Sequence, residues 1–236
     1  METSLTVARV YRDGEYFRKH PLWHTEHSAW KAAQVVRMVR RARLKPATLC
    51  EVGCGAGEVL RLIQDEVGPD CFLRGFDISP QAIELAQARA NEQLQFELIE
   101  HESEIAGYYD LLISVDVIEH IEDYLGFLRR LRSMAALKIF HVPLDLSVQS
   151  VARERGLMDR RDSHDHLHYF SKETFLRSLT DVGYQVRDVV YTRRSLEIGS
   201  GMGQMLMNVP RRMGFSISPA FTARVLGGFS LAVLAT

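Results

Sequence analysis

Apolar and polar positions along this chain fall into short blocks whose rhythm alternates. From 29 to 43, Trp30, Ala33, Val36 and Val39 recur at helical spacing while Lys31, Arg37 and Arg40 stay polar, which predicts a helix that ends before Pro46. A β-type run follows at about 48 to 53, then a helical rhythm over 57–67 that Gly68-Pro69 breaks. A strand over 71–77 ends in Asp77, Ser79-Pro80 caps a helix over 80–91, and a short strand covers 94–99. The run YDLLISVD is apolar enough for a central, doubly covered strand ending at Asp116. A helix with Leu125, Leu128 and Leu131 on one face comes next, and Pro143 closes the strand ALKIFHVPL. Residues 144–170 read as polar and irregular. Ser171 then caps a helix that Gly183 ends, YQVRDVVYT is a further strand, and GFSLAVLA is the last, after a glycine- and methionine-containing stretch over 199–226. Strands alternating with helices at this interval predict one α/β domain with a parallel sheet.

One stretch organises the rest: LCEVGCGAGEVL, residues 49–60. It reads as strand, glycine turn, helix, with Gly53, Gly55 and Gly57 where the backbone takes positive φ or lets a ligand approach, and a helix N-terminus beyond. A dinucleotide fingerprint is G-x-G-x-x-G. Here the spacing is G-x-G-x-G, and Glu58 stands where the third glycine would be. A carboxylate there is awkward beside a pyrophosphate, whereas Glu51 at the strand end suits a ligand carrying an ammonium and a sulfonium.

The E-x-G-x-G-x-G turn resembles motif I of the class I S-adenosylmethionine-dependent methyltransferases. That resemblance, which runs from residue 20 to about 193, implies a Rossmann-like, seven-stranded, mostly parallel sheet with the last strand antiparallel, helices on both faces and an irregular or helical cap. It implies that Glu51, Gly53, Cys54, Gly55 and Gly57 hold S-adenosylmethionine, and that Ile78 packs on its adenine. Asp77 follows Gly53 by 24 residues, where an acid can accept both ribose hydroxyls. Glu100 and Glu102 are candidates near the adenine amino group. The segment D-V-I-E-H resembles motif IV, whose strand-end residues, here Asp116 and Val117, line the methyl-donor pocket. It is also similar to the E-x-x-E-H metal arrangement of ubiquinone-pathway O-methyltransferases and small-RNA ribose methyltransferases, with Asp116 replacing the first glutamate. Spacing alone does not make a metal site of Asp116, Glu119 and His120, and no metal is expected.

The run His164, Asp165, His166, Leu167, His168 puts three histidines on one face if extended. Its HLHYFS portion resembles a pattern bordering the acceptor site in small-molecule methyltransferases, so His166 and His168 are the candidate catalytic bases. Residues 1–28 are rich in aromatics and histidines, Tyr11, Tyr16, Phe17, His20, Trp23, His24 and His27, and the segment WHTEHSAWKA, residues 23–32, resembles a lid. Within it, an aromatic ring near a sulfonium gives a cation–π attraction and Lys31 is placed to pair with the donor's carboxylate.

Composition narrows the partners. A formal net charge of -1 across 236 residues supplies no field to recruit nucleic acid or an anionic membrane. Three cysteines, Cys50, Cys54 and Cys71, without C-x-x-C spacing read as reduced thiols of a cytoplasmic protein. The N-terminus lacks a signal-peptide core, and the apolar run 227–235 is too short for a membrane helix. The expected organisation is a single methyltransferase domain: lid and helix over 1–45, cofactor-binding core over 46–143, and substrate-cap insertions over 144–170 and 196–226. The expected activity is methyl transfer from S-adenosylmethionine to a small molecule, at a hydroxyl oxygen, leaving S-adenosylhomocysteine. A cofactor-binding scaffold without turnover and an NAD-dependent oxidoreductase are the rivals, and the oligomeric state stays open.

Overall fold

The computed structural model describes residues 5–19, 21, 23, 25–197 and 202–236; His20 and His24 lie outside them. Seven strands form one sheet: β1 (Thr48–Val52), β2 (Phe72–Asp77), β3 (Leu94–Leu98), β4 (Tyr109–Val115), β5 (Ala135–Pro143), β6 (Val186–Thr192) and β7 (Ser230–Ala235). Their order is β3-β2-β1-β4-β5-β7-β6. Strands β1 to β5 pair in parallel, and β7 runs antiparallel to both β5 and β6. The apolar C-terminal run is thus an inner strand, buried along its whole length.

Alternation along the strands splits the core into two layers. Leu49, Leu111, Ile113 and Ile139 face one side, where they pack with Val35, Met38, Leu60, Ile63 and Ile83. These come from helices α3 (Ser28–Arg41), α4 (Glu58–Val67) and α5 (Pro80–Gln87), which follow the short N-terminal helices α1 (Leu5–Arg12) and α2 (Glu15–Lys19). Cys50, Leu112, Phe140 and Val142 face the other side, against Leu128 and Leu131 of α6 (Tyr124–Arg132) and, further along the chain, Phe175 and Leu179. All three cysteines are free and buried.

One segment departs from the sequence reading, and a second is given its structure. Residues 144–170, expected to be irregular, hold α7 (Val148–Ala152) and α8 (Met158–His164), ahead of α9 (Lys172–Asp181) with Phe175 and Leu179. Ser147 and Ser150 close a reciprocal capping box on α7, a local signal that the polar composition hid. After α10 (Arg194–Glu197), the stretch around 199–226 holds α11 (Met202–Ile217) and α12 (Pro219–Leu226). Pro210 lies inside α11, where propensity argues against a helix, and tertiary bonds override it: Arg211 donates to Leu226 O at 3.0 Å and to Gln149 Oε1 at 3.1 Å.

Candidate active site

The chain leaves β1 for β2 and β3 and returns as β4 on the other side of β1, so the strand order reverses between β1 and β4. Beyond the carboxyl ends of these strands lies a cavity of about 370 Å³, within the usual range of small-ligand sites. Its walls include Glu51, Gly53, Cys54, Gly55, Asp77, Ile78, Asp116, Val117 and Lys31, so the structure brings these predicted residues together; Gly57 stands just behind, at the N-terminus of α4.

The glycines are there for space as well as backbone angle. Gly53, Gly55 and Gly57 all have positive φ. A Cβ on Gly53 would come within 2.4 Å of Val117, one on Gly55 within 2.6 Å of the Trp23 indole, and one on Gly57 within 2.5 Å of Phe96. Gly57→Ala is therefore expected to destabilise the fold by about 1 to 3 kcal/mol, more than Gly68→Ala, where φ is also positive but nothing lies within 4 Å. Denaturant melts of the two variants check this, and equal losses would show that the Phe96 contact costs nothing.

Asp77 closes the turn from β2. Its carboxylate accepts from Gly55 N at 2.8 Å and Ser79 N at 2.9 Å, and burial holds its pKa above the ordinary value against these bonds. Glu51 is 1% exposed, and its Oε2 has no hydrogen-bond partner among the described residues. Burial raises its pKa to about 8, with Lys31 opposing and Asp77 adding to the shift. An uncompensated carboxyl at the floor of a cleft is a receptor for a cationic group.

Asp116 sits just past β4 with φ 54, a left-handed conformation that aspartate tolerates better than most residues. That twist aims its carboxylate at Lys31 Nζ, 2.9 Å away, and at His141 Nδ1, 2.6 Å away. Burial alone would raise its pKa, but the Lys31 and His141 charges outweigh burial and hold it well below the usual range. His141 in turn meets Thr192 Oγ1 at 3.0 Å, and Trp30 stands edge-on to its ring while donating to Glu197 at 2.7 Å. Lys31 thus lines the cavity with Asp116 as its partner in this structure.

The expected histidine face is divided. Leu167 N and His168 N donate to Glu119 O at 2.8 and 3.1 Å, which docks this segment on the Ile118–His120 turn. His166, 6% exposed, bonds through Nδ1 to Asp145 Oδ2 at 2.6 Å, and its ring stands 4.9 Å from that of His120, a cavity-lining residue. His168 has its Nε2 engaged by Ile121 O at 2.9 Å and its ring against Tyr124, and neither His166 nor His168 is among the residues lining the cavity. His164 ends α8, and burial lowers its pKa to about 4.

Glu119 is fully buried, with both carboxylate oxygens lacking a hydrogen-bond partner among the described residues and Oε1 3.9 Å from His120 Nε2. One donor atom each from Glu119, His120 and His166 lies within 4.8 Å of the others, while Asp116 is held apart by its own partners. Burial, then Asp116, raises the Glu119 pKa well above normal, and burial, then His166, lowers that of His120 to about 3. His120 is therefore neutral near pH 7, its ring nitrogens able to accept a proton donor or a ligand. Sequence reasoning missed Asp145; its one signal is position, two residues after Pro143 at the end of β5.

The roof is aromatic. Tyr11, Tyr16 and Trp23 line the cavity and pack on one another, with ring centroids 4.6 Å apart for the tyrosines and 5.0 Å for Tyr16 and Trp23. Tyr11 OH reaches His120 Nδ1 at 3.3 Å, and Asp165 O lies 3.2 Å from the same atom.

Glu58 is what separates this turn from a dinucleotide fingerprint: it opens α4 paired to Arg61 at 2.7 Å and Arg89 at 2.6 Å, a side chain at the position where that fingerprint needs a glycine for close helix–strand packing. The orphaned Glu51 oxygen and the side-chain-free glycine turn fit instead a nucleoside bearing an ammonium and a sulfonium. Fold and cleft together thus define an S-adenosylmethionine-binding protein of Rossmann-like architecture.

A family described as "Methyltransferase domain" matches residues 22–189, and the chain belongs to it, within the class I S-adenosylmethionine-dependent methyltransferases. Norajmaline N-methyltransferase of Rauvolfia serpentina is 28% identical over 99 residues, 39% of this chain and 33% of that protein. Ajmaline N-methyltransferase of the same plant is 30% identical over 115 residues, 44% of this chain and 39% of that one. The matches thus span well under half of these relatives' length. Among solved structures, a chain of the Haloferax volcanii complex between the Trm112 methyltransferase activator and a methyltransferase superposes with TM-score 0.65 at 15% identity, covering 97% of this chain and 96% of that one. Magnesium protoporphyrin IX methyltransferase of Synechocystis with bound S-adenosylmethionine gives 0.57 at 16% identity, covering 100% and 99%. At such identities these structures establish the shared fold alone. No helix among the described residues is long and apolar enough to cross a membrane.

Proposed function

We propose that the protein transfers the methyl group of S-adenosylmethionine to a hydroxyl oxygen of a small-molecule acceptor. The observation that carries the hydroxyl is the pair His166 and Asp145, 2.6 Å apart and buried beside the cavity-lining His120. S-adenosylmethionine supplies an electrophilic methyl on a sulfonium, leaving as S-adenosylhomocysteine. The protein supplies placement: Asp77 takes the ribose hydroxyls, Glu51 the ammonium, and Ile78 and Val117 the apolar faces, while Tyr11, Tyr16 and Trp23 keep water out. A hydroxyl acceptor loses its proton as it is methylated. His166, its Nδ1 proton held by Asp145, keeps Nε2 free to take that proton.

Incubation with S-adenosylmethionine and a panel of phenols, sugar hydroxyls and amines, reading S-adenosylhomocysteine, tests the reading. His166→Ala is expected to lower kcat about 100-fold or more with cofactor affinity unchanged. Asp145→Asn should give a smaller loss and a shifted pH profile, because Asp145 acts by orienting the imidazole. The names of the two plant relatives favour a small acceptor but specify nitrogen. Transfer to amines alone, indifferent to His166, would remove the hydroxyl assignment, and cofactor binding without turnover on any acceptor would favour the scaffold.

The convergence of Glu119, His120 and His166 favours a second reading, in which a divalent ion orients the acceptor oxygen. Metal analysis before and after chelation separates the two. The first expects turnover to survive a chelator; loss restored by zinc or manganese would favour the second.

A further inference from the structure

Helices α7, α11 and α12 carry a surface that the methyl-transfer site does not use. Six large apolar side chains stand exposed on them: Val148 and Val151 on α7, Val209, Met213 and Ile217 on α11, and Phe221 on α12. Ile217 is 85% exposed, Met213 65% and Phe221 65%, against a core in which leucines and phenylalanines are near zero. Val209, Met213 and Ile217 recur every four residues, so they form one stripe on α11, with Arg212 and Ser216 beside it. The three helices are one unit, because buried Arg211 of α11 bonds Leu226 O at the end of α12 and Gln149 of α7.

The charge of this face is one-sided. From residue 198 to 236 the chain has three arginines and no acidic residue. Arg153, just after α7, and Arg212 are exposed and have no acidic partner among the described residues. Nearby acids are engaged: Glu173 holds Arg224 at 2.5 Å, and Asp159 and Asp162 hold Arg155 at 3.2 and 2.8 Å, which leaves Glu154. Burial, then the neighbouring charges of Arg153 and Arg160, lowers the Arg211 pKa; Arg160 is itself paired with Asp145 at 3.5 Å, which leaves Arg153 and Arg212 to meet an anion.

We propose that this face docks on an anionic phospholipid surface, the apolar stripe entering the acyl boundary while Arg153 and Arg212 meet headgroup phosphates. An amphipathic helix with an apolar face and arginines at its margin binds in this way. A second copy of the chain fits less well, since a two-fold contact would set arginines against arginines with few acids opposite. The overall net charge of -1 does not register the asymmetry, and the length of apolar runs does not register a surface assembled from three helices.

The test is flotation of the full chain with phosphatidylcholine vesicles, with and without a quarter phosphatidylglycerol. Binding is expected with phosphatidylglycerol only, weakening as salt rises. Met213→Glu with Ile217→Glu should abolish it, and Arg153→Glu with Arg212→Glu should reduce it at least about tenfold, each with an unchanged thermal melt. In a fold-preserving variant, Ile217→Trp, emission should shift to the blue on adding the anionic vesicles. Absence of binding, equal binding to both vesicle types or an unshifted emission would overturn the proposal. So would a concentration-dependent dimer that the glutamate variants dissolve, which would give the face to a second copy.

Discussion

Asp77→Ala is expected to weaken S-adenosylhomocysteine binding by about 1 to 3 kcal/mol, roughly a 5- to 150-fold rise in Kd. The carboxylate has two duties. In the proposed reading it accepts the ribose hydroxyls, and in the structure it already accepts from the Gly55 and Ser79 N–H groups, so its removal also orphans two buried donors at the glycine turn. The variant should therefore also melt at a lower temperature. Asp77→Asn separates the two effects, because an amide still accepts one of these bonds while its NH₂ opposes the other. Calorimetry on both variants, with melts run beside it, checks the division. Unchanged affinity in Asp77→Ala would remove this residue from the site.

Binding of S-adenosylhomocysteine is expected to tighten with pH by about tenfold per unit between pH 6 and 8, then level off. Burial raises Glu51 from the ordinary 4.5 to about 8, so near neutrality the free protein holds it protonated. A ligand ammonium against Glu51 favours the ionised form, and the proton must leave when the ligand binds. For stability the sign is opposite. The folded protein binds this proton more tightly than the unfolded chain, so the Glu51 contribution is fully present below about pH 4.5 and declines as pH rises through about 8. Glu51→Gln should flatten both profiles. Calorimetry in buffers of different ionisation enthalpy reads the released proton directly, and a wild-type affinity independent of pH would show that Glu51 does not meet the ammonium.

Much of the site was legible because it is local. A glycine that must turn with positive φ, an acid ending a strand and a serine capping a helix are decided within a few residues, and Gly53, Asp77 and Ser79 stand where their types require. Asp116 was legible as a strand-end residue, but its partners were not. Lys31 lies 85 positions earlier and His141 25 later, and only the pairing of β4 with β5 and the packing of α3 against the sheet bring them within reach. The histidine run was legible as chemistry and not as geometry. Asp145 holds His166, whereas the carbonyls of Ile121 and Glu122 hold His168, a division that a two-residue alternation does not contain.

Taken alone, the sequence determined the α/β class, the glycine turn and the acids that shape a cleft for a sulfonium nucleoside, since each follows from backbone sterics or the period of a single element. Tertiary structure decided the rest. It made helices within 144–170, which composition marked as irregular, and carried α11 through Pro210, where Arg211 ties the helix to its neighbours. It also buried Glu119 without a hydrogen-bond partner beside His120 and His166, and left six apolar side chains exposed on three connected helices. Such placements depend on which distant residues meet, and no repeat along the chain encodes that.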